Sequence, residues 1–223
     1  MTHRNKKAVR IRTRLAVTLA SMLTASLVTA TPALAEPVTL TSGHVDILDV
    51  NYVSDNLNVK VRDETSGAAV ERNPADVTFQ VPAAAKTTVP SGSAWSFLGT
   101  AGSTVWVLPQ SQVSNLIWPG WNTADVAGGV FDGNRLTFEL VSVTGGQFSI
   151  YRTSLGSPTV LFHSRDSGPK TQYVSAGSHA HANWAFNTAG TYTVTFKVTG
   201  TLAGTTTTKT SGNVSFTFQV LNS

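Results

Sequence analysis

The stretch SHAHANWAF, residues 178–186, places His179 and His181 two positions apart in a chain with five histidines. Successive side chains of a β-strand point to opposite faces, so residues two apart share a face. His179, His181, Asn183 and Ala185 then form one face, and Ala180, Ala182, Trp184 and Phe186 form the other. The second face is apolar and reads as a core face. On the first, the two imidazoles stand roughly 6–7 Å apart along the strand, within reach of one cation.

Further ligands are available elsewhere. Gly43-His44-Val45-Asp46 repeats the spacing of two, so His44 and Asp46 share a face while Val45 and Ile47 point the other way. His163 lies in LFHSRDS. There is no cysteine, so a metal must be held by His, Asp or Glu. A set of His44, His163, His179 and His181 with Asp46 suits Zn²⁺, or Mn²⁺ if carboxylates dominate. The competing reading is an ordinary solvent-facing strand surface, since a lone H-x-H is a weak signal.

Trp118-Pro119-Gly120-Trp121-Asn122 offers a different chemistry. Read as a rigid loop, it presents two rings that could stack on sugars. The alternative is that both rings pack under long loops. Trp106 and Trp184 sit in strand alternation and belong to the core.

Catalysis finds little footing. His163, Ser164, Asp166 and Ser167 are near one another in sequence, but a catalytic group needs proximity in space. G-x-S-x-G, H-E-x-x-H and phosphate-loop patterns are absent. The expectation is a binding protein and not an enzyme.

The elements that must position these residues read as all β. In GTYTVTFKVTG, Tyr192, Val194, Phe196 and Val198 alternate with polar residues, as do Val214, Phe216, Phe218 and Val220 in NVSFTFQV. Such alternation marks an antiparallel pair with one face in the core and one in water. Earlier strands are expected at 44–52, 57–63, 76–81, 104–109, 135–143, 147–152 and 159–164. Thr144-Gly145-Gly146 reads as a hairpin turn. Short strands about ten residues apart argue for an antiparallel β-sandwich of immunoglobulin-like architecture. Residues 82–129 hold four of the five tryptophans and read as long decorated loops.

The N-terminus is of another kind. Residues 1–14 carry six basic residues and no acidic one, and an apolar run, Leu15 to Ala30, follows before Pro32 and Ala33-Leu34-Ala35. That order predicts a secretory signal peptide over residues 1–35, cleaved after Ala35. A single β-sandwich domain, 36–223, is then exported to the cell surface or medium, with no membrane span. The formal charge of +4 belongs to the leader; residues 36–223 carry ten Lys and Arg against twelve Asp and Glu. No basic surface remains to recommend nucleic acid as a partner.

Several motifs in order carry a family resemblance: GHVDI, AWSFLGTAGSTVWVLPQ, the WPGWNT segment, LTFELVSVTGGQFSIY, LFHSRDSG and SAGSHAHANWAFNTAGTYTVTFKVTG. Over residues 43–221 the chain resembles the actinobacterial surface-anchored protein domain, also called the choice-of-anchor M domain. The resemblance implies an exported protein. It also implies an association with ABC transporters of the metal-uptake type, with a solute-binding component or another surface protein as partner. Its motifs fall on His44 and Asp46, on His163 and Asp166, and on His179 and His181. Many members of that family carry a C-terminal anchor, whereas this sequence ends at QVLNS. An adhesion or structural module, or a cell-wall glycan-binding module, is the alternative to metal capture.

Overall fold

In a computed structural model, residues 1–2 and 37–223 are described, and the expected signal peptide lies outside them apart from its first two residues. Residues 37–223 lie within one compact unit. This unit is all β, as the alternation predicts. No helix among the described residues is long and apolar enough to cross a membrane.

Three sheets share the strands. The first sheet runs, in spatial order, Val38–Leu40, Val77–Val81, Thr208–Val220, Gly190–Thr201, Arg135–Thr144 and Thr171–Ser175. The second runs Ser157–His163, Phe148–Ser154, Asn183–Phe186, Thr104–Leu108 and Lys86–Thr88. The third runs His179–His181, Ile117–Asn122, Gly43–Val53, Asn56–Asp63 and Val70–Arg72. Most pairings are antiparallel. Parallel ones join Val77–Val81 to both its neighbours and Gly43–Val53 to Ile117–Asn122.

The first and second sheets pack face to face through aromatic side chains. Phe218 of the first meets Phe186 of the second with ring centroids 5.1 Å apart, and Phe196 meets Phe162 at 5.3 Å. Tyr192, Val194, Phe196 and Val198 are all fully buried, as their alternation requires. Truncating one such phenylalanine to alanine costs about 3–5 kcal/mol through lost contacts and the cavity left behind. The Tyr192 hydroxyl donates to the Thr188 carbonyl at 3.0 Å and accepts from the Thr188 amide at 3.1 Å. A tyrosine tied to backbone just upstream of its own strand is the corner device of immunoglobulin-like sandwiches.

Two local expectations are corrected. Thr144-Gly145-Gly146 is no hairpin turn. Arg135–Thr144 and Phe148–Ser154 belong to different sheets, and the two glycines carry the chain across the sandwich. The crossing is tight, because a Cβ on Gly145 would lie 2.1 Å from the Thr191 carbonyl oxygen. The segment around Trp118 is not a loop either: Ile117–Asn122 is an interior strand of the third sheet. Elsewhere in the long Trp-rich segment, Trp95 and Phe97 close a small satellite core over Val89, Leu98, Val105 and Tyr151.

SHAHANWAF divides at Ala182. His179–His181 is the edge strand of the third sheet, whereas Asn183–Phe186 lies inside the second. The chain thus changes sheets within the motif. Trp184 and Phe186 enter the sandwich core while the histidines turn toward Gly43–Val53.

Candidate metal centre

His44, Asp46, His179 and His181 converge. Each offers one ligand atom, and these atoms all lie within 4.8 Å of one another. The third sheet makes this possible through Ile117–Asn122. Gly43–Val53 runs parallel along one side of it, with His44 beside Trp118 and Asp46 beside Gly120. His179–His181 runs antiparallel along the other, with His181 beside Gly120. Gly120 therefore lies under the cluster. A Cβ there would stand 2.5 Å from Asp46 Oδ1 and 2.9 Å from both the Ala180 carbonyl oxygen and His181 Cε1. Only a residue without a side chain leaves room for these four side chains to meet.

A bulge in Gly43–Val53 follows Asp46, where the register against both neighbouring strands shifts. His44 and Asp46 keep the common face predicted by their spacing. Beyond the bulge Ile47 and Leu48 are both fully buried, which anchors the strand immediately after His44 and Asp46.

The imidazoles are oriented from behind. His44 Nδ1 donates to Glu64 Oε2 at 2.7 Å. His181 Nδ1 donates to the Pro119 carbonyl at 3.1 Å, and its ring stacks on Trp118 with centroids 3.8 Å apart and planes 13° apart. With each Nδ1 carrying the proton, each Nε2 presents a lone pair. The Nε2 atoms of His44 and His181 are buried and have no hydrogen-bond partner among the described residues. Buried polar atoms in folded proteins are normally satisfied. Two unsatisfied lone pairs directed into one cluster are what a cation would complete.

Asp46 supplies the negative charge. Its Oδ1 lies 2.9 Å from His179 Nε2 and 3.6 Å from His44 Nε2, and the residue is 1% exposed. Desolvation raises its pKa, against the lowering effect of His179 and His44. Burial holds the His181 imidazole down at about 4, so the ring is neutral and able to coordinate at neutral pH. Glu64 is moved the other way: its bonds to Arg62 and His44 keep its pKa below the ordinary carboxylate value. Arg62 Nε donates to Glu64 Oε1 at 2.7 Å. A carboxylate bonded to the rear nitrogen of a ligating histidine fixes its tautomer and strengthens its lone pair.

His163 does not join this group. It ends a strand of the second sheet, is 3% exposed, and both its nitrogens are committed. Nδ1 accepts the Arg165 amide at 2.8 Å, and Nε2 donates to the Phe97 carbonyl at 2.9 Å. The Lys170 ammonium donates to the carbonyls of His163 and Ser164, and a Cβ on Gly168 would stand 2.5 Å from His163 Cβ. FHSRDSG is thus a self-locking turn, with His163 as its hub. Spacing alone could not separate that role from ligation, because a buried hub and a ligand are both histidines in strand contexts.

The two tryptophans do not form a coplanar exposed pair. Three positions apart on one strand, they face opposite ways. Trp121 is 7% exposed and lies under the Arg152 guanidinium at 5.1 Å. Trp118 is half-buried, covers His181 and donates through Nε1 to the Gln110 carbonyl at 2.8 Å. Glu64, Gly120 and the Pro119 carbonyl are the parts of the site that the sequence reading missed. Glu64 had a signal of a kind, because Asn56–Asp63 returns antiparallel beside Gly43–Val53 and brings its next residue back to His44.

No protein-family model and no curated protein matches the chain. Among solved structures, the ASH/PapD-like domain of human CEP192 (PapD-like domain 7) is similar at 12% identity and a TM-score of 0.24. That match covers 53% of this chain and 86% of the other.

Proposed function

We propose that the protein is a non-catalytic binder of a divalent metal ion, held by His44, Asp46, His179 and His181. The observation that carries this reading is the pair of buried, unpartnered Nε2 atoms on His44 and His181, beside a buried carboxylate. Three imidazole nitrogens and one carboxylate oxygen make a borderline donor set, which favours Zn²⁺ over the harder Mn²⁺. Tetrahedral Zn²⁺ draws its nitrogen and oxygen ligands to about 2.0–2.2 Å, so the cluster needs only a modest contraction to close on an ion.

The leader-like N-terminus and the family resemblance extend the proposal. In that reading the protein works outside the cytoplasm, secreted or at the cell surface, as an accessory to an ABC-type metal importer. Its partner is the importer's solute-binding component or another surface protein.

The test is a competition titration of chelator-stripped protein with Zn²⁺ and with Mn²⁺. One Zn²⁺ per chain, bound more tightly than Mn²⁺, is expected. Failure to compete for either ion contradicts the proposal. A preference for Mn²⁺ contradicts the assignment of the metal.

A further inference from the structure

The four donors are unequally enclosed. The side chain of Asp46 is 2% exposed and that of His44 is 17% exposed, whereas His179 is 44% exposed. His44 is tied to Glu64, and His181 is pinned between the Pro119 carbonyl and the Trp118 ring. Both ties come from residues outside the ligand set. His179 has none of that kind: among the described residues its side chain hydrogen-bonds to Asp46, a fellow ligand. It is also the first residue of a three-residue strand at the sheet edge. Before any ion arrives, His44 and His181 are thus held by outside residues and Asp46 is enclosed by burial, while His179 stands at the opening.

We infer that His179 is the exchangeable ligand, displaced by an imidazole or carboxylate donor of a partner protein that approaches over the sheet edge to take the ion. This inference rests on the metal-binding reading above and adds the side from which the ion is transferred. One donor bond to the ion forms as the His179 bond breaks, so the coordination number is held throughout. Asp46, His44 and His181 retain the ion until the incoming donors outnumber them. A fully closed site would instead have to open before any acceptor could reach the ion.

The kinetics of zinc transfer test this. Zn²⁺-loaded protein is mixed with a chromophoric chelator in excess, and the transfer rate is followed against chelator concentration. The wild-type rate is expected to rise with chelator concentration, as attack on an accessible ion requires. His179→Ala is expected to keep one Zn²⁺ per chain but release it faster, by at least the roughly tenfold that loss of even a supporting group costs in affinity, with added imidazole slowing the release again. His44→Ala and His181→Ala are expected to lose binding. The apo His179→Ala protein should still fold but melt somewhat below the parent, since the buried Asp46 carboxylate loses its hydrogen-bond partner.

A wild-type rate independent of chelator concentration overturns the inference. So does a loss of binding in His179→Ala as complete as that in His44→Ala. Both results leave the metal site standing. Failure of the wild-type protein to bind Zn²⁺ removes the metal reading, and this inference with it.

Discussion

Asp46 Oδ1 and His179 Nε2 lie 2.9 Å apart although 133 residues separate them in the chain. The contact closes the third sheet around Gly120 and brings an H-x-D strand and an H-x-H strand onto one point. Each strand supplies two same-face donors, and the strand between them supplies the gap they fill.

That gap makes Gly120 the most sensitive position that is not itself a ligand. Gly120→Ala drives a methyl group into Asp46 Oδ1, the Ala180 carbonyl and His181. Overpacking of this kind costs about 1–3 kcal/mol. Zn²⁺ affinity should fall further than apo stability does, because two ligands are displaced together. Titration and unfolding of the same variant check this, and parent-like affinity contradicts it.

Glu64→Gln keeps the side-chain volume and an acceptor oxygen but removes the charge behind His44. Changes to such supporting groups typically cost about 10–100-fold in metal affinity. The variant should bind Zn²⁺ more weakly within that range while its apo melting temperature stays near the parent's. Unaltered affinity would mean that the 2.7 Å bond does not tune the ligand.

His163→Ala should behave in the opposite way. Its ring satisfies the Arg165 amide and bonds to the Phe97 carbonyl inside the fold, and leaving such groups unpaired costs about 1–3 kcal/mol each. Stability should drop and zinc affinity should not. A loss of affinity with intact folding would restore His163 to the ligand set.

Asp49 gives a prediction in pH. It is 3% exposed, accepts the Asn122 side-chain amide at 2.8 Å, and burial raises its pKa to about 6. A carboxyl with a raised folded pKa favours the folded state when protonated. Its contribution is full below the ordinary value of 3.8 and is lost as pH rises through about 6. Asn mimics the protonated form, so apo Asp49→Asn should match the parent near pH 4 and exceed it at pH 7.5. The shift sets an upper limit on the gain on the order of 3 kcal/mol. The desolvated imidazoles of the buried His163 and the half-buried His181 act with the opposite sign. Their pKa values are lowered, so the stability tied to their neutral forms is present above about 6.5 and is lost as pH falls. A constant difference between parent and Asp49→Asn across this range would contradict the assignment.

The sequence made the strands and their faces legible wherever alternation was strict, as around Phe196 and Phe218. It also made the same-face pairs His44/Asp46 and His179/His181 legible, because residues two apart on a strand share a face. Three features were hidden. The change of sheet at Ala182 lies inside a run that alternates without a break. Ile117–Asn122 contains Pro119 and Gly120, residues that argue against a strand, yet the carbonyl of one orients His181 and the bare Cα of the other makes room for the ligands. His163 shares its chemistry with the ligands but faces Phe97, and only the tertiary fold decides which way a buried histidine points.

The decisive measurement for the metal site is thermal unfolding of chelator-stripped protein, with and without Zn²⁺, beside the His44→Ala/His181→Ala variant. A ligand that binds the folded state alone stabilises it by about 2.7 kcal/mol at a hundred times its Kd. A zinc-dependent rise in melting temperature is expected for the parent and none for the variant. An unchanged melting temperature in the parent, or an equal rise in both proteins, would contradict it.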